Sequence, residues 1–216
     1  MKYENIHKAL FISRPNRFIA KVRMDDHEET VHVKNTGRCR ELLIPGAEVW
    51  LTAPGTPGRK TVYDLVAVRK SNGLLINIDS QAPNKVAREW LETQGFDRII
   101  PEYRYGDSRI DFCMLRQGQR FLMEVKGCTL EMDGIGYFPD APTERGVKHL
   151  HELRHAAKEG DQAILMFVIQ MDGVQEVRPN TETHPAFGIA LEEAKAAGVR
   201  VLFLTCHVEP DGVFVV

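Results

Sequence analysis

Along the first 80 residues, apolar and polar positions alternate with a period of two. In residues 17–24, Phe18, Ala20, Val22 and Met24 fall on one side and Arg17, Lys21 and Arg23 on the other. That alternation predicts a half-buried strand. Residues 30–34 repeat it, with Val31 and Val33 inward and His32 and Lys34 outward. Residues 48–52, 61–69 and 74–78 supply three further strands, and the Pro/Gly-rich stretch 53–58 reads as a loop between them. Residues 37–43 suggest a short helical turn before Pro45-Gly46. Five short strands suit a small Greek-key barrel such as an OB-fold, and the period alone does not separate that from an SH3-like barrel.

The pattern changes after Ser80-Gln-Ala-Pro83, which marks a junction between a first domain, 1–80, and a second, 81–216. Asn84 is placed to cap a helix running to Gln94, with Val86, Trp90 and Leu91 on its apolar side and Gly95 at its end. Strands follow at 98–105, 109–115 and 119–130. Thr143 then caps a helix reaching Lys158, in which Val147, Leu150, Leu153 and Ala157 recur at helical spacing before Gly160. Residues 163–171 form a continuous apolar run of the kind found inside α/β sheets. A helix at 185–197, closed by Gly198, leads to a last strand at 200–208. The predicted architecture is a five-stranded barrel followed by an α-β-β-β-α-β-α-β mixed-sheet domain.

Within that order, residues 111–126 stand out. Two apolar runs flank a turn at Arg116-Gln117-Gly118, which reads as a β-hairpin. Alternation puts Glu124 and Lys126 on one face of the second strand, with Phe121, Met123 and Val125 on the other. Asp111 and Cys113 share a face of the first. A buried charge without a partner costs several kcal/mol, so these charges need compensation. A divalent cation between Asp111 and Glu124, with Lys126 beside it, is one solution. A cross-strand Asp111–Lys126 ion pair is the other.

Composition narrows the setting. Hydrophobic residues make up 43% and charged residues 27%, as in ordinary globular proteins. No apolar run approaches the roughly 20 residues of a membrane span, and the charged N-terminus does not resemble a signal peptide. Cys39, Cys113, Cys128 and Cys206 are scattered, with neither a Cys-x-x-Cys pair nor a disulfide framework. A cytoplasmic protein is expected. Net charge is −2, yet residues 1–80 carry 13 Lys and Arg against 9 Asp and Glu, a net of +4, while the remainder carries 15 against 21, a net of −6. The split predicts a polyanion-attracting first unit and a carboxylate-rich second one. The stripe Arg17, Lys21, Arg23 and Lys34 is either a track for phosphates or a solvated strand face.

The helix–three strands–helix–strand order, with Asp111 on the second strand and Glu124-Val-Lys126 on the third, resembles the PD-(D/E)xK nuclease core. That resemblance implies Asp111 and Glu124 as ligands of Mg²⁺ or Mn²⁺ and Lys126 as the group that activates water. Ile110 stands where the motif has proline. A more specific likeness covers nearly the whole chain. Asn35-Thr-Gly37, Glu41-Leu-Leu, Ser108-Arg-Ile-Asp-Phe112, Glu124-Val-Lys126, Phe138-Pro-Asp-Ala-Pro-Thr-Glu-Arg-Gly146 and Lys148-His-Leu150 resemble the sugar fermentation stimulation protein A family. This implies an OB-like barrel joined to a restriction-endonuclease-like domain, DNA binding, and a part in regulating maltose metabolism. Active phosphodiester hydrolysis is the alternative. Beyond the capped start of the predicted 143–158 helix, Arg145 and Lys148 are placed to contact a DNA backbone. His149 is placed to touch DNA, pair with a carboxylate or make a structural hydrogen bond. Glu89, on the first helix, is either a further metal carboxylate or a solvent-facing charge.

Overall fold

The computed structural model describes residues 1–35, 37–106 and 108–216. Thr36 of the Asn35-Thr-Gly37 motif therefore lies outside the described residues. The chain begins with six strands, β1 (Ile6–Asn16), β2 (Ile19–Met24), β3 (His27–Val33), β4 (Glu48–Thr52), β5 (Asp64–Arg69) and β6 (Leu75–Asn77). Helix α1 (Ala82–Glu92) precedes β7 (Arg98–Tyr105), β8 (Ser108–Arg116), β9 (Gln119–Cys128), β10 (Leu130–Met132) and β11 (Ile135–Phe138). Then come α2 (Glu144–Lys158), β12 (Gln162–Ile169), β13 (Val177–Pro179), α3 (Pro185–Ala196), β14 (Arg200–Glu209) and β15 (Gly212–Val215). No helix is long and apolar enough to cross a membrane among the described residues.

The first compact unit comprises Met1–Ala82, Gln170–Gly173 and Thr205–Val216. Its strands run in the order β3-β2-β1-β4-β5, and β3 closes onto β5 through a parallel pairing. This is a five-stranded closed barrel of OB type, with β6 added along β5. Closure removes the exposed edges that an open sheet would leave. Ala20, Val22, Val31, Val33, Val49, Leu51, Leu65 and Val68 fill its interior. The number of barrel strands is as the alternation predicts, but their identity differs by one. β1 belongs to the barrel, and residues 75–77 form the added sixth strand. Phe18 is also displaced from its expected inward position: it sits in the β1–β2 turn, 51% exposed.

The C-terminal segments of this unit were expected in the second domain. Their pairing explains the difference. The amino group of Met1 donates to the carbonyl of Val213 at 2.6 Å, and Val213 N–H donates back to Met1 at 3.0 Å. Gln170 Nε2 donates to Asn77 Oδ1 at 2.9 Å and to the Asp79 carbonyl at 3.1 Å. Nearby, Asn77 Nδ2 donates to the Tyr3 hydroxyl, which donates to Asp79 Oδ2, an oxygen also taken by Lys34 Nζ.

The second unit, Pro83–Ile169 with Val174–Leu204, is built on a mixed sheet in the order β14-β12-β9-β8-β7. β7, β8 and β9 are antiparallel neighbours, and β12 runs parallel to β9. Past Leu204, β14 enters the first unit, where it pairs with β15. Every residue of β12 after Gln162 is buried, as its unbroken apolar run requires. Helices α2 and α3 pack together, and α2 covers β12 and β9. A small sheet, β10-β11-β13, lies within this unit and was not expected from the sequence; its strands have only three or four residues. Helix α1 starts two residues before Asn84, so Asn84 is an internal helical position and not the cap.

Candidate functional site

The predicted hairpin forms with a two-residue turn. Gln117 and Gly118 both have positive φ, 50° and 76°, the conformation that matches the twist of antiparallel strands. The ladder runs from Arg116↔Gln119 to Phe112↔Met123. Carried one pair further, it sets Asp111 opposite Glu124 on the same face of the sheet.

Each carboxylate is held from a different direction. Asp111 Oδ1 accepts from Asn84 Nδ2 at 2.8 Å, and Oδ2 accepts from the Val125 N–H at 2.8 Å. Glu124 is 2% exposed. Its Oε1 accepts from Lys126 Nζ at 2.5 Å and from His149 Nδ1, while its Oε2 is buried without a hydrogen-bond partner among the described residues. Arg145 Nε lies 3.3 Å from His149 Nε2. Because arginine only donates, His149 Nε2 is the acceptor and Nδ1 carries the proton it gives to Glu124. Lys126 Nζ, 3.2 Å from the same Nδ1, is then a neighbour of the ring and not its partner.

Electrostatics separates the two acids. Burial pushes the Asp111 carboxyl up, and the charge of Glu124 adds to that; the Val125 and Asn84 bonds offset only part. Burial also raises Glu124, but the His149 bond and the charge of Lys126 outweigh it and hold its carboxyl below the ordinary range. The Asp111–Lys126 ion pair anticipated as the alternative is not the arrangement adopted: the lysine contacts Glu124.

Among the described residues, no group of three or more His, Cys, Asp and Glu side chains could hold a metal ion. A cation here would meet two protein carboxylates, one with an uncommitted buried oxygen. That donor set fits Mg²⁺, which is commonly held by one or two carboxylates with water and substrate phosphate completing the octahedron. It does not fit a cation that needs a full protein cage.

The remaining predicted residues divide. Arg145 and Lys148 are exposed on the first turns of α2, Lys148 lying 3.7 Å from Glu152. Thr143 caps this helix, its hydroxyl accepting from Gly146 N–H at 3.0 Å. Glu89 is exposed on α1. On the barrel, Arg17 and Arg23 are exposed, whereas Lys21 pairs with Glu28 at 2.7 Å. Lys34 is mostly buried against Asp79 at 2.9 Å.

Sequence reasoning missed Asn84 as a partner of Asp111. It also missed the support of the 138–143 loop. There Asn180 N–H donates to the Phe138 carbonyl at 2.8 Å, Asn180 Nδ2 to the Pro139 carbonyl at 3.1 Å, and Thr143 N–H to His184 Nδ1 at 3.2 Å. Phe138 packs on Phe187 and Phe167, with ring centroids 5.0 and 5.5 Å away. Nothing in the local sequence signals these contacts, because their partners lie 29 to 49 residues away.

A closed OB-type barrel followed by a mixed-sheet domain defines a two-part architecture, and a family model matches each part. Residues 12–78 match the SfsA N-terminal OB domain, and residues 81–212 match the sugar fermentation stimulation protein RE domain. The chain belongs to the sugar fermentation stimulation protein family. It is 53% identical over 216 residues to the sugar fermentation stimulation protein homolog of Desulfitobacterium hafniense (strain DSM 10664 / DCB-2), covering 99% of this chain and 94% of that one. The Clostridium beijerinckii homolog is 50% identical over 217 residues, covering 99% and 96%. The structure of Pyrococcus furiosus SfsA in complex with Ca²⁺ superimposes with a TM-score of 0.88 at 30% identity, covering all of this chain and 94% of that one.

Proposed function

We propose that the protein binds DNA and holds a divalent cation, Mg²⁺ or Mn²⁺, between Asp111 and Glu124. The observation that carries this reading is Glu124 Oε2, a buried carboxylate oxygen without a hydrogen-bond donor among the described residues. Leaving a buried charged acceptor unsatisfied is costly, and a hard cation is the partner that such an oxygen lacks. The Pyrococcus furiosus relative was solved with Ca²⁺, another hard cation bound through oxygen, which supports the reading.

The side chains around the acids have distinct parts. Asn84 and the Val125 N–H orient Asp111, and His149, itself held by Arg145, orients Glu124. Lys126 keeps its ammonium against the same Glu124 oxygen and balances charge there. Arg145 and Lys148 offer cations to a phosphate backbone beside the α2 N-terminus, where the helix dipole also favours anions. Of the barrel stripe, Arg17 and Arg23 offer exposed positive charge, while Lys21 and Lys34 are paired with Glu28 and Asp79 and contribute less. The family likeness extends the reading to control of sugar metabolism, maltose in particular. The four cysteines are buried thiols, which supports a reducing, cytoplasmic setting.

Phosphodiester hydrolysis is the second reading, favoured by Lys126 lying within reach of both Glu124 and His149. A divalent cation bound to the acids supplies the charge that polarises a phosphoryl oxygen and acidifies a bound water.

Titration with Mn²⁺ followed by electron paramagnetic resonance tests the first reading. Wild type is expected to bind, Glu124→Gln and Asp111→Asn to lose binding, and Asn84→Ala to bind about 10- to 100-fold more weakly, as removal of an outer ligand-orienting bond does. Unchanged Mn²⁺ affinity in Glu124→Gln rejects the site. Incubating DNA with the protein and Mg²⁺ or Mn²⁺ tests the second: cleavage that persists at full rate in Glu124→Ala removes that acid from any hydrolytic role.

A further inference from the structure

A cavity of about 130 Å³ opens on the barrel unit, with Phe18, His32, Lys34, Asn35 and Gln81 among its walls. Phe18 is the unusual member. Its ring is half exposed, yet its backbone is fixed from both sides: its N–H donates to Asn16 Oδ1 at 2.9 Å, and its carbonyl accepts from Val33 N–H at 2.8 Å. The ring is thus offered to solvent from an immobilised position, and little backbone entropy remains to be lost on binding. Three of the polar walls are already committed inward. His32 Nδ1 lies 3.0 Å from Asp64 Oδ1, Lys34 Nζ donates to Asp79 Oδ2 at 2.9 Å, and Asn35 Nδ2 donates to the Ile78 carbonyl at 2.9 Å. Such a pocket presents shape and an aromatic face, with the exposed Gln81 side chain left to meet the edge of a ligand. It suits a flat π-system of unspecified identity.

Charge chooses among flat ligands. The Arg14 guanidinium donates to the carbonyls of Arg17, Asn35, Gly37 and Arg38 at 2.6–2.9 Å. One side chain therefore gathers the exposed Arg17 and Arg38 around the same end of the barrel as Asn35. The Arg17 guanidinium stands 5.9 Å from the Phe18 ring centroid. An aromatic platform with one arginine beside its ring and a second exposed arginine tied by its backbone to the same Arg14 matches a base with phosphates nearby, the pairing used by single-strand binders.

We propose that this pocket takes an unpaired nucleobase of single-stranded DNA, stacked on Phe18, with the flanking phosphates on Arg17 and Arg38. The inference rests on the DNA-binding reading and adds a strand preference to it. Bases within a duplex are paired and stacked on one another, so they cannot stack on Phe18 without being extruded.

Fluorescence anisotropy with the full chain tests it, using a labelled oligothymidine of about 16 nucleotides and a labelled duplex of the same length at matched salt. Phe18→Ala is expected to weaken oligothymidine binding about 10-fold while leaving duplex binding within about twofold. Phe18→Trp is expected to keep the affinity, with its indole emission quenched when oligothymidine binds. Arg17→Ala should reduce the slope of log K against log salt by about one. Unchanged oligothymidine binding in Phe18→Ala, or an equal loss on duplex, overturns the pocket. Binding of duplex alone overturns the strand preference and leaves the DNA-binding reading standing. Binding of neither DNA overturns both.

Discussion

Asp64 shows how a single acid is held in the barrel. It is 4% exposed, with both Arg59 and His32 on its carboxylate. Burial pushes its carboxyl up, but the bonds from Arg59 and His32 outweigh burial and leave it below its ordinary value of 3.8. A lowered folded-state pKa contributes stability that is complete above the unfolded value and lost as pH falls through the folded one. Urea unfolding of wild type and Asp64→Asn is expected to show the variant less stable by about 3 kcal/mol near neutrality, with the gap narrowing below about pH 4. A gap independent of pH would mean that the carboxylate charge is not what stabilises the contact. Residues of this kind were only partly legible in the sequence. Glu124 and Lys126 could be placed on one strand face because alternation is strictly local. Asp64 was hidden inside a predicted strand, because its partners come from a loop and from a parallel neighbour 32 residues earlier.

At the scale of elements, α2 is the clearest agreement between pattern and structure. Its cap at Thr143 and its end at Lys158 lie where the periodicity sets them. Its first turn is also sterically tight. A Cβ on Gly146 would meet Thr143 Cγ2 at 2.8 Å, Thr143 Oγ1 at 3.1 Å and Phe187 at 3.4 Å. Alanine ordinarily favours a helix interior over glycine by about 1 kcal/mol. Here Gly146→Ala is expected to destabilise by about 1–3 kcal/mol through overpacking. Thr143→Ser removes Cγ2 and keeps the capping oxygen, so adding it to Gly146→Ala should recover part of the loss in thermal denaturation. No recovery would place the strain at Phe187. The short strands β10, β11, β13 and β15 escaped prediction because three or four residues hold too little alternation to register. β1 is long enough, but its burial pattern is irregular, following the register shifts in its pairing with β2.

For the molecule as a whole, the compact units do not follow the order of the chain. Gln170 is 2% exposed and joins residues 170–173 to Asn77 and Asp79 in the first unit. Gln170→Leu is nearly equal in size but removes two buried hydrogen bonds, leaving Asn77 Oδ1 with only the Asp79 N–H and the Asp79 carbonyl with only the Ala82 N–H. A loss of about 1–3 kcal/mol is expected. Hydrogen exchange should report it as weaker protection in residues 75–79 and 170–173, with β8 and β9 little affected. Uniform loss across the chain would show that the two units unfold as one.

The sequence by itself determined the barrel-then-mixed-sheet order, the hairpin carrying Asp111, Glu124 and Lys126, the capped helix after it, and the family. All of these are written in local periodicity, turn chemistry or contiguous motifs. Only the tertiary structure decided that Asn84 serves Asp111 and that His149 serves Glu124. Only it turned Phe18 outward and returned the C-terminal strand to the first unit. Those outcomes depend on which distant groups must be paired once water is excluded, and a buried donor or acceptor takes its partner from whatever the fold brings near.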